Sequence, residues 1–226
     1  MSLGAYILYF ILLMIIPLWA QLKVKTTYSK YSKVATSSSL TGAQVARKIL
    51  DENGLFDVHI EEVKGTLTDH YDPRSKVVRL STGNYHGHSM AASAVAAHEV
   101  GHAIQDAESY AFLNFRTALV PLASFGSNSA FIIIFAGIIL NSMNLVLLGI
   151  IFMSFAVLFQ LVTLPVEFNA SSRAMDQLVM TGIITNSEER ETKKVLNAAA
   201  LTYVAAALVA VAELLRFILM FLANRD

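Results

Sequence analysis

Four long apolar stretches constrain this chain more than any other feature of its sequence. They cover residues 1–20, 117–140, 145–164 and 199–222. A helix needs about 20 predominantly apolar residues to cross the hydrocarbon core of a bilayer, and each stretch is close to that length. Because lipid offers the backbone no hydrogen-bond partners, stretches of this length are expected to be helical. The sequence therefore predicts a mainly α-helical, multi-pass membrane protein whose four transmembrane helices contact the lipid bilayer.

The first apolar stretch is predicted to be a transmembrane anchor helix. No positively charged residue precedes it and no small-residue cleavage pattern ends it, whereas a cleaved signal peptide has both. Residues 21–39, rich in Lys, Ser and Thr, are predicted to be a linker. Thr41 and Gln44 then form the capping-box pattern that opens a helix, and Asn53-Gly54 is expected to end it.

Lysine and arginine are distributed unevenly among the segments that connect the four stretches. Of the 17 residues of these two types, eleven lie within residues 21–116 and four within residues 165–198, whereas the turn at 141–144 has none. Cytoplasmic loops of membrane proteins hold an excess of Lys and Arg. We therefore expect residues 21–116 and 165–198 to be cytoplasmic segments and the amino terminus to lie outside.

The longer of these two segments contains the sequence His98-Glu99-Val100-Gly101-His102. Residues four apart in a helix project from one face, so His98 and His102 can bind the same metal ion. A catalytic zinc takes three protein ligands and a water molecule, and the Glu of an H-E-x-x-H helix acts on that water as a general base. We therefore predict that His98 and His102 are zinc ligands and that Glu99 is catalytic.

The residues around this motif support a helix. An alanine-rich run precedes His98, and Ser89 is the predicted N-cap. A glycine such as Gly101 costs a helix interior about 1 kcal/mol relative to alanine. We therefore expect another backbone to pack closely against Gly101.

The third zinc ligand has to come from a distant part of the chain. There is no cysteine, and Gln105 and Glu108 stand where an H-E-x-x-H-x-x-G-x-x-H site has Gly and His. The next carboxylate after Glu108 is Glu167, which shares a helix face with the small residues Ala170 and Ala174. Glu167 is therefore the predicted ligand, and the alternative is an interfacial carboxylate at the end of a membrane span.

The region before the H-E-x-x-H helix is expected to contain a little β structure. Residues 57–63 and 76–80 read as short strands of a small β hairpin or meander. Residues 68–74 between them have the composition of a solvated turn. An extended substrate could then add to the edge of the 76–80 strand.

Three stretches of this chain have counterparts in known proteins: Ala97-His98-Glu99-Val100-Gly101-His102-Ala103-Ile104-Gln105, Asp69-His70-Tyr71-Asp72-Pro73 and Glu167-Phe168-Asn169-Ala170-Ser171. Together with the four spans, these stretches resemble the YugP-type membrane zinc metallopeptidases. The resemblance extends over nearly the whole chain. More distantly, the chain is similar to the HtpX-type gluzincins, whose third ligand is the Glu of an E-[FY]-x-A-D motif.

The resemblance implies a zinc-dependent endopeptidase with one zinc ion per chain. Its fold would combine the four transmembrane helices with a zincin-like α+β catalytic portion on the cytoplasmic side, made of the H-E-x-x-H helix and the small β hairpin or meander. The implied location is the plasma membrane of a bacterium. The implied substrates are proteins or peptides, and specifically membrane-tethered or unfolded proteins near the cytoplasmic surface.

Ser171 stands where the gluzincin motif has Asp, so the carboxylate that would orient a zinc-bound histidine is missing. Asn169, Ser171 or Asp176 are the candidates to replace it.

A further hydrogen-bond donor is needed for the oxyanion that forms during peptide hydrolysis. Four residues are candidates for a transition-state or supporting role: His70, Tyr71, His88 and Arg173. For the three residues other than Arg173, the alternative is an ordinary turn or loop residue.

Two other functions are compatible with a metal site in this setting. One is a catalytically silent, zinc-stabilised membrane scaffold that binds a partner protein, which would not need Glu99. The other is a metal transporter or sensor. Such proteins use relays of ionisable groups, whereas Glu213 and Arg216 are the only charged residues in the predicted spans.

A net charge of zero gives no indication of a nucleic-acid partner. The sequence leaves a homo-oligomer open.

Overall fold

The structure is a computed structural model that describes residues 3–224. Within these residues the fold is mainly helical and contains one small sheet, as predicted. The helices are α1 (Leu3–Tyr31), α2 (Gly42–Glu52), α3 (Thr82–Tyr85), α4 (Met90–Ala107), α5 (Ala111–Ile139), α6 (Met143–Met180) and α7 (Asn186–Ala223), and the strands are β1 (His59–Val63), β2 (His70–Asp72) and β3 (Val77–Ser81).

Four of these helices, α1, α5, α6 and α7, are long and apolar enough to cross a membrane. This confirms the prediction of a multi-pass membrane protein. The described residues divide into two compact units. Unit 1 contains the residues up to Leu18, Ala111–Pro165 and the residues from Tyr203 onward, and unit 2 contains Trp19–Tyr110 and Val166–Thr202.

Unit 1 consists of apolar helical segments that pack through small residues. A Cβ atom at Gly126 would lie 2.3 Å from the backbone oxygen of Phe152, so only glycine allows this approach of α5 and α6. Ile134 and Val146 are completely or almost completely buried between the helices. Many large apolar side chains face outward instead, which is the pattern expected of helices that contact lipid.

One ion pair lies within the apolar segment of α7. Arg216 donates to Glu213 Oε2 at 2.6 Å, and its guanidinium lies over the ring of Phe217 at 4.0 Å. Pairing of this kind lowers the cost of placing two charges among apolar side chains.

In unit 2 the three strands form one sheet in the order β1-β3-β2. β1 pairs with β3 in parallel, from His59 opposite Val77 to Val63 opposite Ser81, and β2 pairs with β3 antiparallel. The predicted sheet is therefore present, but the prediction of a hairpin or meander between residues 57–63 and 76–80 is wrong. A parallel pair needs a crossover connection, and short apolar runs give no local sign of strand direction.

Two further expectations for this sheet are corrected by its topology. Residues 68–74 are not only a turn, because they contain β2, a strand too short to show alternation. β3 is the central strand and has partners on both sides, so it offers no edge to an extended substrate. The edge strands are β1 and β2.

The helix boundaries in unit 2 follow the predicted capping signals. The Thr41 side chain and the Gln44 side chain form the expected capping box, and Gly54 follows the end of α2 with a φ of +70°. Ser89 caps α4 by accepting from the backbone of Ala92. The predicted linker at 21–39 is wrong for its first part, because α1 continues to Tyr31 and no Pro or Gly interrupts it there.

Helix α4 lies at the centre of unit 2. It packs against α2, the sheet and α3. Val100, Ala96 and Ala97 on α4 are buried together with Ile49 and Leu50 on α2. The alanines keep these helices close, and the position of α4 is therefore fixed by a continuous apolar core.

Candidate metal centre

Two histidines of α4 and one glutamate of α6 meet in unit 2. His98, His102 and Glu167 each present a ligand atom, and these three atoms lie within 4.8 Å of one another. Glu167 Oε2 is 3.3 Å from His98 Nε2 and 3.7 Å from His102 Nε2. Zn–N and Zn–O bonds of about 2.0–2.1 Å in a tetrahedron place ligand atoms roughly 3.3 Å apart. The donor types therefore suit zinc, and both distances to Glu167 Oε2 are close to this separation.

The approach of α6 to α4 depends on Gly101. A Cβ atom at this position would lie 2.6 Å from the backbone oxygen of Ala170. Ala170 and Ala174 are both fully buried on the facing side of α6. The close backbone neighbour predicted from Gly101 is thus present, and it is the turn of α6 that follows Glu167.

The second nitrogen of each histidine also has a hydrogen-bond partner. His98 Nδ1 lies 3.2 Å from Ser171 Oγ, and His102 Nδ1 lies 3.0 Å from Gln105 Oε1. Such contacts hold a ring so that Nε2 faces the metal position. Of the three candidates for a histidine-orienting residue, Ser171 has the appropriate position.

The other two candidates are placed differently. Asn169 Oδ1 accepts from Gln105 Nε2 at 2.9 Å, not from a histidine. Asp176 is exposed on α6. Gln105 is a supporting residue that the sequence reasoning missed, although its spacing of three residues from His102 places the two on one helix face.

Glu99 is buried, with 8% of its surface exposed, beside the histidine pair on α4. Burial lowers the pKa of His102, but the neighbouring carboxylates of Glu167 and Glu99 outweigh burial and raise the pKa above its ordinary value. Glu99 is therefore within electrostatic reach of the cluster.

His70 and His88 do not reach the metal centre in the described structure. His70 is exposed on the edge strand β2, and its Nδ1 contacts the backbone oxygen of Thr68 at 2.9 Å. His88 is exposed in the turn before α4, where its Nδ1 contacts the backbone oxygen of Ser39 at 2.8 Å. The contact of His88 matches the alternative stated for it, an ordinary loop position, whereas His70 belongs to strand β2 and not to a turn.

Tyr71 and Arg173 are tied to residues at the carboxyl end of α4. Tyr71 donates to Asp106 Oδ2 at 2.9 Å, and burial together with this carboxylate raises the pKa of the phenol, so it remains a donor at neutral pH. Arg173 pairs with Glu108 Oε2 at 2.7 Å and donates through Nε to Asn169 Oδ1 at 2.7 Å. Arg173 is thus linked to the cluster through other side chains.

The chain is similar to known proteins over most of its length. Residues 6–222 match the model of a family described as "Putative neutral zinc metallopeptidase". The chain is 58% identical over 208 residues to the "Putative membrane protease YugP" of Bacillus subtilis (strain 168), and the alignment covers 92% of each protein. No solved structure matches the chain. The chain belongs to this neutral zinc metallopeptidase family, as the resemblance of its motifs implied.

Proposed function

We propose that this protein is a membrane-embedded zinc endopeptidase of the gluzincin type, with His98, His102 and Glu167 as the ligands of one zinc ion. The observation that supports this proposal most strongly is the convergence of these three side chains from two helices. Membership of a zinc metallopeptidase family supports the choice of metal and of reaction. The catalytic portion is then the zincin-like α+β part of unit 2.

When bound, zinc would supply Lewis-acid polarisation of the scissile carbonyl and of the attacking water. Glu99 removes the proton from this water and passes it to the leaving amine, which is the role of a general base and then a general acid. Ser171 and Gln105 hold the two imidazole rings.

An extended substrate is proposed to bind along β2. This strand pairs only with β3 in the described sheet, and it packs against α4. Addition of a peptide strand to a sheet edge satisfies main-chain hydrogen bonds without a specific side-chain requirement. Tyr71 on this strand is the proposed donor to the oxyanion, a role that requires its O–H to turn away from Asp106 when substrate binds.

The proposed substrates are membrane-tethered or unfolded segments close to the cytoplasmic surface of the plasma membrane. Glu167 follows Leu164, the last residue of the predicted third span, by three positions in α6, which corresponds to about 5 Å of helix. The excess of Lys and Arg in segments 21–116 and 165–198 favours the cytoplasmic side. Folded soluble proteins would be excluded by the headgroups.

The proposal is tested with purified protein and an unstructured, membrane-tethered reporter. We expect cleavage that a chelator abolishes and that added zinc restores. The absence of zinc-dependent cleavage with several unstructured reporters, from protein shown to contain zinc, would contradict the endopeptidase assignment and favour a zinc-stabilised scaffold.

A further inference from the structure

Gln105 is fully buried between His102 and helix α6. Its side chain makes three polar contacts. Oε1 is 3.0 Å from His102 Nδ1, and Nε2 donates to the backbone oxygen of Val166 at 2.8 Å and to Asn169 Oδ1 at 2.9 Å. Every polar atom of this amide is therefore engaged.

The orientation of this amide is determined by its partners. The two ends of an amide have nearly the same shape, so its orientation follows from which neighbours donate and which accept. The carbonyl oxygen of Val166 can only accept, and therefore Gln105 must present its NH₂ group to α6. Its Oε1 is then the atom that faces His102.

A second contact gives the same orientation independently. The guanidinium of Arg173 can only donate, so Asn169 must present its oxygen to Arg173 Nε, at 2.7 Å. The same oxygen accepts from Gln105. Arg173 is held in turn by Glu108, at 2.7 Å. Both α6 contacts therefore require Gln105 to donate toward α6 and to accept from His102.

This arrangement has a consequence for the imidazole of His102. An amide oxygen can only accept, so the 3.0 Å contact with Gln105 requires the proton of the neutral ring on Nδ1, and the lone pair then lies on Nε2. Nε2 is 3.7 Å from Glu167 Oε2, too far for a hydrogen bond that would hold the proton there instead. We propose that Gln105 is a positioning residue that fixes the tautomer and the ring orientation of His102, and that Asn169 and Arg173 hold Gln105 in place. The inference rests on the proposed zinc site.

The first test measures zinc affinity by competition with a chelator. Loss of a partner that orients a metal-bound histidine typically weakens metal binding by about 10- to 100-fold. We expect a loss of this size for Gln105→Leu. Gln177→Leu is the matched control, because Gln177 is a glutamine of α6 that accepts from Asn53 Nδ2 at 2.8 Å, away from the cluster. Its affinity should stay within about twofold of the parent, well below the loss given for orienting partners.

Variants of Asn169 keep the proposal testable if Gln105→Leu does not fold. Asn169→Asp retains an acceptor for both Gln105 and Arg173, so its zinc affinity should stay close to that of the parent. Asn169→Leu removes that acceptor and should weaken zinc binding. Equal affinities for these two variants would overturn the role of the α6 contacts.

The second test needs neither zinc nor activity. The ¹⁵N resonances of His102 in the metal-free protein, at a pH where the ring is neutral, show which nitrogen bears the proton. We expect the proton on Nδ1 in the parent and in Gln177→Leu, and a mixture or a proton on Nε2 in Gln105→Leu. A neutral ring protonated on Nε2 in the parent would overturn the inference. Failure of the parent to bind zinc would instead contradict the proposed function.

Discussion

The backbone oxygen of Ala170 occupies the space beside Gly101 that a side chain would need, 2.6 Å from an ideal Cβ position. Real Cβ atoms do not approach a backbone oxygen this closely. Helices α4 and α6 therefore meet at the level of the metal centre only because residue 101 is glycine. Since the proposed ligands lie on both helices, this contact sets their separation.

Gly101→Ala tests the importance of this contact. Alanine favours an isolated helix by about 1 kcal/mol, whereas overpacking costs about 1–3 kcal/mol, so the net effect should be destabilisation together with weaker zinc binding. Thermal unfolding and chelator competition measure the two effects. Gly83→Ala is the control, because a Cβ there meets only the Tyr28 hydroxyl at 3.6 Å. A Gly101→Ala protein with unchanged stability and zinc affinity would show that the helices adjust freely.

Glu99→Gln tests the proposed general base. The amide keeps the size of the side chain but cannot accept the proton, so activity should fall by at least about 100-fold while zinc content is unchanged. Reporter cleavage and elemental analysis provide both measurements. Glu52→Gln, an exposed position at the end of α2, should have no effect. Residual activity within about tenfold of the parent would exclude the role, because general-base catalysis contributes more than this.

Ser171→Ala tests the hydroxyl that contacts His98. Removing it leaves Nδ1 of His98 without its partner at 3.2 Å, and zinc affinity should fall by about tenfold or more. Chelator competition again provides the measurement. Ser172→Ala is the matched control, because Ser172 is the exposed neighbour on the same helix. If both variants bind zinc equally well, Ser171 does not replace the missing carboxylate.

Single cysteines test the predicted topology. The chain has no cysteine of its own, so each introduced thiol reports on one position. In intact cells, Ser187→Cys should be protected from an impermeant thiol reagent and Ser142→Cys should be labelled. The reason is that segment 165–198, which contains Lys and Arg, is expected in the cytoplasm, whereas the turn at 141–144, which contains neither, is expected outside. Permeabilised cells, in which both should react, provide the control. The reverse pattern would place the metal centre outside the cytoplasm.

Reporters with cut sites stepped away from a membrane span test the proposed substrate class. The short distance along α6 between Leu164 and Glu167 predicts cleavage in the cytoplasmic juxtamembrane region. Mass spectrometry of the products locates the cut site. Cleavage in the middle of the span would contradict this prediction.

The local features of this chain were predictable from its sequence, because local interactions determine them. Apolar length predicts the four long helices, and side-chain caps at Thr41 and Ser89 predict where α2 and α4 begin. Gly101 predicts a close neighbour because a glycine inside a helix costs stability, and nothing in the local sequence explains its presence there. The identity of that neighbour, Ala170, required the fold.

The features that were missed depend on tertiary contacts. The parallel pairing of β1 with β3 joins residues 18 positions apart, from His59 opposite Val77, and nothing in either strand encodes its direction. The sequence shows that Gln105 departs from the longer histidine motif, but its contacts with Val166 and Asn169 depend on how α6 packs against α4. In the same way, His70 and His88 looked suitable by residue type, but the fold points them to backbone oxygens.

The zinc content of the purified protein tests the central claim most directly. Elemental analysis of the parent should give one zinc ion per chain, and Glu99→Gln should give the same value. His102→Ala and Glu167→Ala should each lose most of the metal, because a catalytic zinc has only three protein ligands. A parent protein without stoichiometric zinc, or variants of His102 and Glu167 that retain it fully, would contradict the assignment of His98, His102 and Glu167 as the zinc site.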